Sequence, residues 1–233
     1  MVMSNVGRYT SMALEGMDLR KEIIEIAQRC ESMDLVMYSQ GNFSARIPTT
    51  DRILITPAAR PYTNMLPEDI LTVDLFGQKI DGVYEPSSET AIHTLAYRLY
   101  PWVGGCAHVE PPYLNAVYAV NKEVPNIVGN FVYLFQGKGI ALGPSAKSGN
   151  VRFAEMTLKA MGDRFGVVWK NHGVFCIGKD LHTAFARCWT AEQAARVYYL
   201  ALSMGVGEPD LIPLDAQAEM AEAACKMDLS RPV

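Results

Sequence analysis

Short strand-forming stretches follow one another along this chain with little more than turns between them, and this argues against a doubly wound parallel sheet. Phe43 to Ile47 and Leu71 to Leu75 read as strands and Ile53-Leu54-Ile55 as a short apolar one, punctuated by Gly41-Asn42, Thr56-Pro57 and Phe76-Gly77-Gln78-Lys79. Gly104 to Val109 reads as a buried strand, and Val167-Val168-Trp169 with Val174 to Ile177 as two more. Parallel neighbours need a long crossover, whereas strands this close in sequence pair as hairpins. Helices lie between the strand groups. Asp18 can cap one carrying Leu19, Ile23, Ala27 and Cys30 on one face. A second begins near Ser88 and stops before Pro101, with Ile92, Leu95, Ala96 and Leu99 on one face. Pro112 suits the first turn of a third, to about Val120. Asn150 caps a fourth to about Arg164, Asp180 a long one to roughly Met204, and a short one is expected near Gln217 to Lys226. Ile127 to Val132 and Gly139 to Leu142 read as strand or loop. The pattern predicts three layers, α/β/α, around a central mixed, largely antiparallel sheet.

The chain of 233 residues is long enough for one sizeable core, so one domain is expected over 1–233, with a loose arm at 1–16 and a tail at 205–233. A net charge of −4 supplies no basic field, which argues against nucleic acid and anionic membrane as partners. No apolar run reaches signal-peptide or membrane-spanning length. The five cysteines, Cys30, Cys106, Cys176, Cys188 and Cys225, are widely spaced and odd in number. They read as buried reduced thiols, and the expectation is a soluble cytoplasmic protein. Gly137-Lys138-Gly139 lacks the third glycine and the following helix of a dinucleotide-binding turn.

Three separated segments concentrate the chemistry: Pro86-Ser87-Ser88-Glu89, His108-Val109-Glu110 and Asn171-His172-Gly173. His108 and Glu110 alternate at a strand end, where side chains two apart share a face, and His172 in a turn between strands can join them. Two imidazoles and a carboxylate suit Zn²⁺, Mn²⁺ or Fe²⁺ without choosing among them. The plainer alternative is a hydrogen-bonded core histidine at 108 and a solvent-facing charge at 110. Gly41-Asn42 and Ser87-Ser88 place small polar residues and backbone N–H groups at turns, the latter at a helix start that favours an anion. Ordinary capping by serine explains the same residues. Glu89 can bind an ion at rest or move a proton, or can simply complement the helix dipole as a first-turn acid. His93, one turn on, reads as a packing residue or a support behind the ligands rather than a ligand itself, and His182 as exposed. No nucleophile elbow is present.

Taken together, Ser39-Gln40-Gly41-Asn42-Phe43-Ser44-Ala45-Arg46, Ile55-Thr56-Pro57, Leu66-Pro67-Glu68-Asp69, Pro86-Ser87-Ser88-Glu89 with His93, the 108–110 strand end and Asn171-His172-Gly173 resemble the class II aldolase/adducin family over about residues 19 to 203. The resemblance implies a homotetramer with active sites between subunits. It implies one divalent metal per subunit at residues 108, 110 and 172, and a substrate phosphate near Gly41, Asn42, Thr56, Ser87 and Ser88. It makes Glu89 the catalytic acid/base. Epimerase relatives carry aspartate in that place, so Glu89 leans to the aldolases, while Tyr100 to Gly105 looks more epimerase-like.

Three departures stand out. His108-Val109-Glu110 replaces His-x-His, which lowers the charge on the site and favours Mn²⁺ or Fe²⁺, or altered chemistry. Ala58-Ala59 replaces Ser-Gly and puts a phosphorylated substrate in doubt, although Arg60 can bind a carboxylate or phosphate. Asn130, aligned with an epimerase acid, cannot titrate. The expected function is a metal-dependent lyase of aldolase type. It would cleave or form a C–C bond in a small anionic hydroxyketone (sugar phosphate or hydroxy acid) through an enediolate that the metal stabilises. A decarboxylase or sugar-phosphate 4-epimerase on the same scaffold, and a non-catalytic adducin-like assembly protein, are the alternatives.

Overall fold

The computed structural model describes residues 16–145 and 148–227. The expected arm, Gly16 apart, and residues 228–233 of the expected tail lie outside them. Eight strands among the described residues form one sheet: β1 (Asn42–Arg46), β2 (Arg52–Ile55), β3 (Leu71–Asp74), β4 (Lys79–Asp81), β5 (Gly105–Val109), β6 (Ala141–Leu142), β7 (Gly166–Trp169) and β8 (Gly173–Gly178). Their order is β4-β3-β2-β1-β5-β8-β7-β6. Every adjacent pair is antiparallel except β6 with β7. The helices are α1 (Met17–Ser32), α2 (Thr90–Leu99), α3 (Pro112–Ala119), α4 (Gly129–Phe135), α5 (Val151–Met161), α6 (Leu181–Ser203) and α7 (Leu214–Lys226).

The strand period of two divides the core in half. Phe43, Ala45, Leu54, Ala107, Val109, Val168, Val174 and Cys176 face one side, where they pack with residues of α1, α3, α4 and α6. Ile53, Ile55, Leu71, Val73, Cys106, Val167, Trp169, Phe175 and Ile177 face the other, against α2 and α5. This is a three-layer α/β/α sandwich, as the strand spacing predicted.

Asn150 and Asp180 cap α5 and α6, their side chains accepting from Phe153 N and Thr183 N. Asp18 does not cap α1. Gly16 takes that position at φ 73° and Asp18 falls in the first turn. The stretch read as strand or loop at Ile127 to Val132 instead enters α4, whose Phe131 and Phe135 lie one helical turn apart and fully buried. Strand β4 gave no signal because its edge residues are exposed or half-buried and carry no apolar alternation. Four cysteines are buried free thiols, but Cys225 is exposed. No helix of the described residues is long and apolar enough to cross a membrane.

Candidate active site

The order β1-β5-β8 at the centre of the sheet brings the three chemical segments to one end of it. Asn42 on β1 lies directly opposite His108 on β5, and His108 opposite Phe175 on β8. Glu89 occupies the N-cap position of α2, where its side chain makes no capping bond and is left for other partners. His172 sits in the β7–β8 turn, which closes with Asn171 at φ 60° and a bond from His172 N to Trp169 O. Asn115 Nδ2 donates to His172 O at 3.0 Å and fixes the turn on α3. Two glycines make room. A Cβ at Gly173 would stand 2.3 Å from Val109 O and 2.8 Å from His108 Cε1, and one at Gly41, where φ is +70°, 2.6 Å from His108 O.

Glu89, His108 and His172 each offer one ligand atom within 4.8 Å of the others. His108 Nε2 lies 3.4 Å from Glu89 Oε2, and His172 Nε2 lies 3.6 Å from Glu89 Oε1. The imidazole centroids are 5.1 Å apart, and the Trp169 ring walls His108 at 4.3 Å. His108 Nδ1 is 3.0 Å from Val174 O. A carbonyl only accepts, so Nδ1 carries the hydrogen. Burial also pulls the His108 pKa below its ordinary value, which disfavours a second proton on Nε2. Nε2 therefore turns a lone pair toward a carboxylate, and it is buried with no hydrogen-bond partner. Two electron-rich atoms facing each other at this distance call for a cation between them. The set of two imidazoles and a carboxylate fits a divalent ion.

Glu89 is nearly buried, at 5% exposure. Burial pushes its carboxyl pKa up. His108, Asn42, Ser148 and His172 together pull it further down, so that it ends below the ordinary value. Asn42 Nδ2 donates to Glu89 Oε2 at 2.8 Å. Glu110 stands outside the mutually close trio. The strand ends at Val109, and Glu110 N donates to Leu35 O rather than to a ladder partner. Its Oε1 is 3.8 Å from His172 Nε2, its carboxylate accepts from Gly41 N–H, and burial raises its pKa.

Glu89, Glu110 and His172 border a pocket of about 470 Å³ lined also by Gly41, Asn42, Ser87, Ser88 and Ser148, with His108 buried behind it. Thr56 and Arg60, expected at an anion site, are not in that lining. Thr56 is fully buried, its backbone N–H and C=O engaged by Phe43 O and Ser87 N, and its hydroxyl accepting from Phe43 N. Arg60 lies over the Tyr84 ring at 4.5 Å. Ser87 Oγ accepts from Glu89 N, so it tightens the turn as well as facing the pocket. His93 is fully buried and His182 exposed, as expected. Sequence reasoning missed Ser148, whose hydroxyl bonds to Glu89, and Trp169 as a wall. Asn42, expected beside the substrate anion, lines the pocket and also bonds Glu89, a partnership that its neighbours in sequence do not signal. An isolated serine in a loop carries no readable signal.

Residues 21–199 match the class II aldolase and adducin N-terminal domain family. A 5-deoxy-D-ribulose 1-phosphate aldolase of Bacillus thuringiensis serovar kurstaki is 28% identical over 203 residues, covering 87% of this chain and 93% of that protein. Among solved structures, an L-fuculose 1-phosphate aldolase superposes with a TM-score of 0.82 at 26% identity, covering 88% of this chain and 95% of the other. The fold is shared as well by YgbL of Escherichia coli, described as a putative aldolase/epimerase/decarboxylase, with a TM-score of 0.77 at 22% identity and coverage of 88% and 98%. With a family match spanning most of its length, from α1 to α6, this chain belongs to the class II aldolase and adducin family.

Proposed function

We propose that this chain, a lyase of the class II aldolase type, makes and breaks a C–C bond in a small anionic hydroxyketone of the sugar-phosphate class, with Glu89 as acid and base. The observation that carries the reading is the His108 Nε2 lone pair, buried without a hydrogen-bond partner and 3.4 Å from Glu89 Oε2. His108 and His172 would hold a divalent cation, with Glu89 completing the group at rest and Glu110 adding a second carboxylate at the rim. When bound, that ion supplies Lewis acidity that withdraws charge from a carbonyl and its neighbouring hydroxyl.

The protein's own groups do the rest. Asn42 Nδ2 occupies Glu89 Oε2, so a proton is taken and returned at Oε1, the oxygen facing His172. The Trp169 ring and the buried floor under His108 limit water at that end. Gly41, Ser87 and Ser88 line the pocket wall where the anionic group of the substrate would lie. No lysine is among the described residues that line the pocket, which fits a route without a Schiff base. Assembly as a homotetramer with pockets at subunit boundaries fits the apolar side chains Val197, Tyr199 and Leu200, about half exposed on α6.

Metal analysis of the purified protein, with light scattering on the same preparation, tests this. The expected result is one divalent ion per chain and a particle of four 25.7 kDa chains. His172→Ala should lose the ion. Glu89→Gln should keep it but cease exchanging the α-hydrogens of dihydroxyacetone phosphate with solvent. Unchanged metal in His172→Ala, or undiminished exchange in Glu89→Gln, would remove that residue from the proposal.

A further inference from the structure

The polar face of β1 carries a row of buried groups that the reaction does not touch. Asn42 Nδ2 meets Glu89 Oε2 at 2.8 Å, and on its other side Asn42 Oδ1 lies 2.6 Å from His93 Nε2. His93 Nδ1 lies 2.6 Å from Ser44 Oγ, and Ser44 Oγ lies 2.9 Å from Tyr97 OH. His93 and Ser44 are fully buried, and Tyr97 is 1% exposed.

The direction of every bond in this row follows from its end. An ionised carboxylate only accepts, so the Asn42 NH₂ group must face Glu89 and its carbonyl oxygen must face His93. His93 Nε2 therefore carries the hydrogen. The ring is neutral, because burial presses its pKa down to about 3, so Nδ1 holds a lone pair. Ser44 spends its single hydrogen on Nδ1, which leaves Tyr97 as the donor to Ser44. All four hydrogens point one way, toward Glu89. In the reverse arrangement the asparagine carbonyl would face the carboxylate, oxygen against oxygen.

We propose that Tyr97, Ser44 and His93 form a one-way hydrogen-bond chain that locks the Asn42 amide with its NH₂ group toward Glu89, which makes all three positioning residues for the acid/base. This rests on the assignment of Glu89 given above. The chain also implies that the two buried histidines of the site hold opposite tautomers, His93 on Nε2 and His108 on Nδ1.

The test combines ¹⁵N NMR of histidine-labelled full-length protein with exchange of dihydroxyacetone phosphate hydrogens by the zinc-loaded enzyme. Wild-type His93 should be protonated at Nε2 and His108 at Nδ1. Ser44→Ala should leave His93 in mixed tautomers and lower kcat about ten- to hundredfold, with KM and bound zinc nearly unchanged and the melting temperature lowered by the loss of two buried hydrogen bonds. Ser44→Thr should restore both the tautomer and kcat. Tyr97→Phe should have the same signature in weaker form, and serves if the alanine variant does not fold. A wild-type His93 protonated at Nδ1 overturns the chain whether or not the protein is active. A folded Ser44→Ala enzyme with full kcat overturns it while leaving the function standing. A wild type with the expected tautomers but neither zinc nor exchange would sink the function of Glu89 instead.

Discussion

Strands β1 and β5 show two different ways of filling the inside of one protein. On one face they present Phe43, Ala45, Ala107 and Val109 to a layer of apolar helices. On the other, the alternate residues are Asn42, Ser44, Cys106 and His108, against α2 with its His93 and Tyr97. The first face needs only volume and shape, because burial of apolar surface is non-directional. The second needs each donor matched to an acceptor, since an unmatched buried polar group costs about 1–3 kcal/mol. The same backbone serves both, and the site lies wholly on the directional side. What distinguishes the functional face here is its buried polar groups, paired along the row but left open at His108 Nε2, since both faces are equally buried.

Substitutions can break or sharpen that contrast. Phe43→Ala on the apolar face should cost about 3–5 kcal/mol in denaturant titrations, while the protein that remains folded keeps its metal and kcat. A selective loss of metal at intact stability would erase the division of labour. A more gradual effect belongs to His93. Its ring takes a proton near pH 6.5 in the unfolded chain but only near pH 3 in the fold. The unfolded state thus binds the extra proton, and stability is complete above about pH 6.5 and lost as pH falls toward 3. The expected slope is at most about 1.4 kcal/mol per pH unit, and His93→Gln should flatten it. An equal slope in the variant would assign the acid sensitivity to other groups. The smallest effect is Thr157→Val. Thr157 on α5 is fully buried on the same face as the site, and its Oγ1 has no partner. Removing that hydroxyl should stabilise the protein by about 1 kcal/mol without changing kcat. A loss of stability there would show that the hydroxyl has a partner after all.

Much of this was legible in the chain. The hairpin spacing gave the mixed sheet. The caps Asn150 and Asp180 placed α5 and α6. His108 and His172 converge because both flank β8, a relation their neighbouring apolar runs announce. Elsewhere local pattern misled. Ile127 to Val132 looks extended by composition, yet Phe131 and Phe135 are buried as a helical pair, because tertiary packing outweighs propensity. Period-two logic grouped Glu110 with His108, and both side chains do lie beside His172 and Gly173, although β5 itself ends at Val109 and Glu110 stays outside the closest trio. Asn42 reads as a turn residue facing a ligand. Its real partners, Glu89 and His93, lie roughly fifty residues away and become neighbours only through the sheet.

That distance has a consequence for how the molecule comes into being. Glu89 opens a helix, His108 rides a central strand and His172 tips a late hairpin, so no early fragment emerging from synthesis contains all three. The pairing of β5 with β8 must be in register before they meet, since a slip by one residue would turn His108 to the opposite side. The cation seat therefore requires β5 and β8 to have paired in register, which ties the chemistry to correct assembly of the sheet.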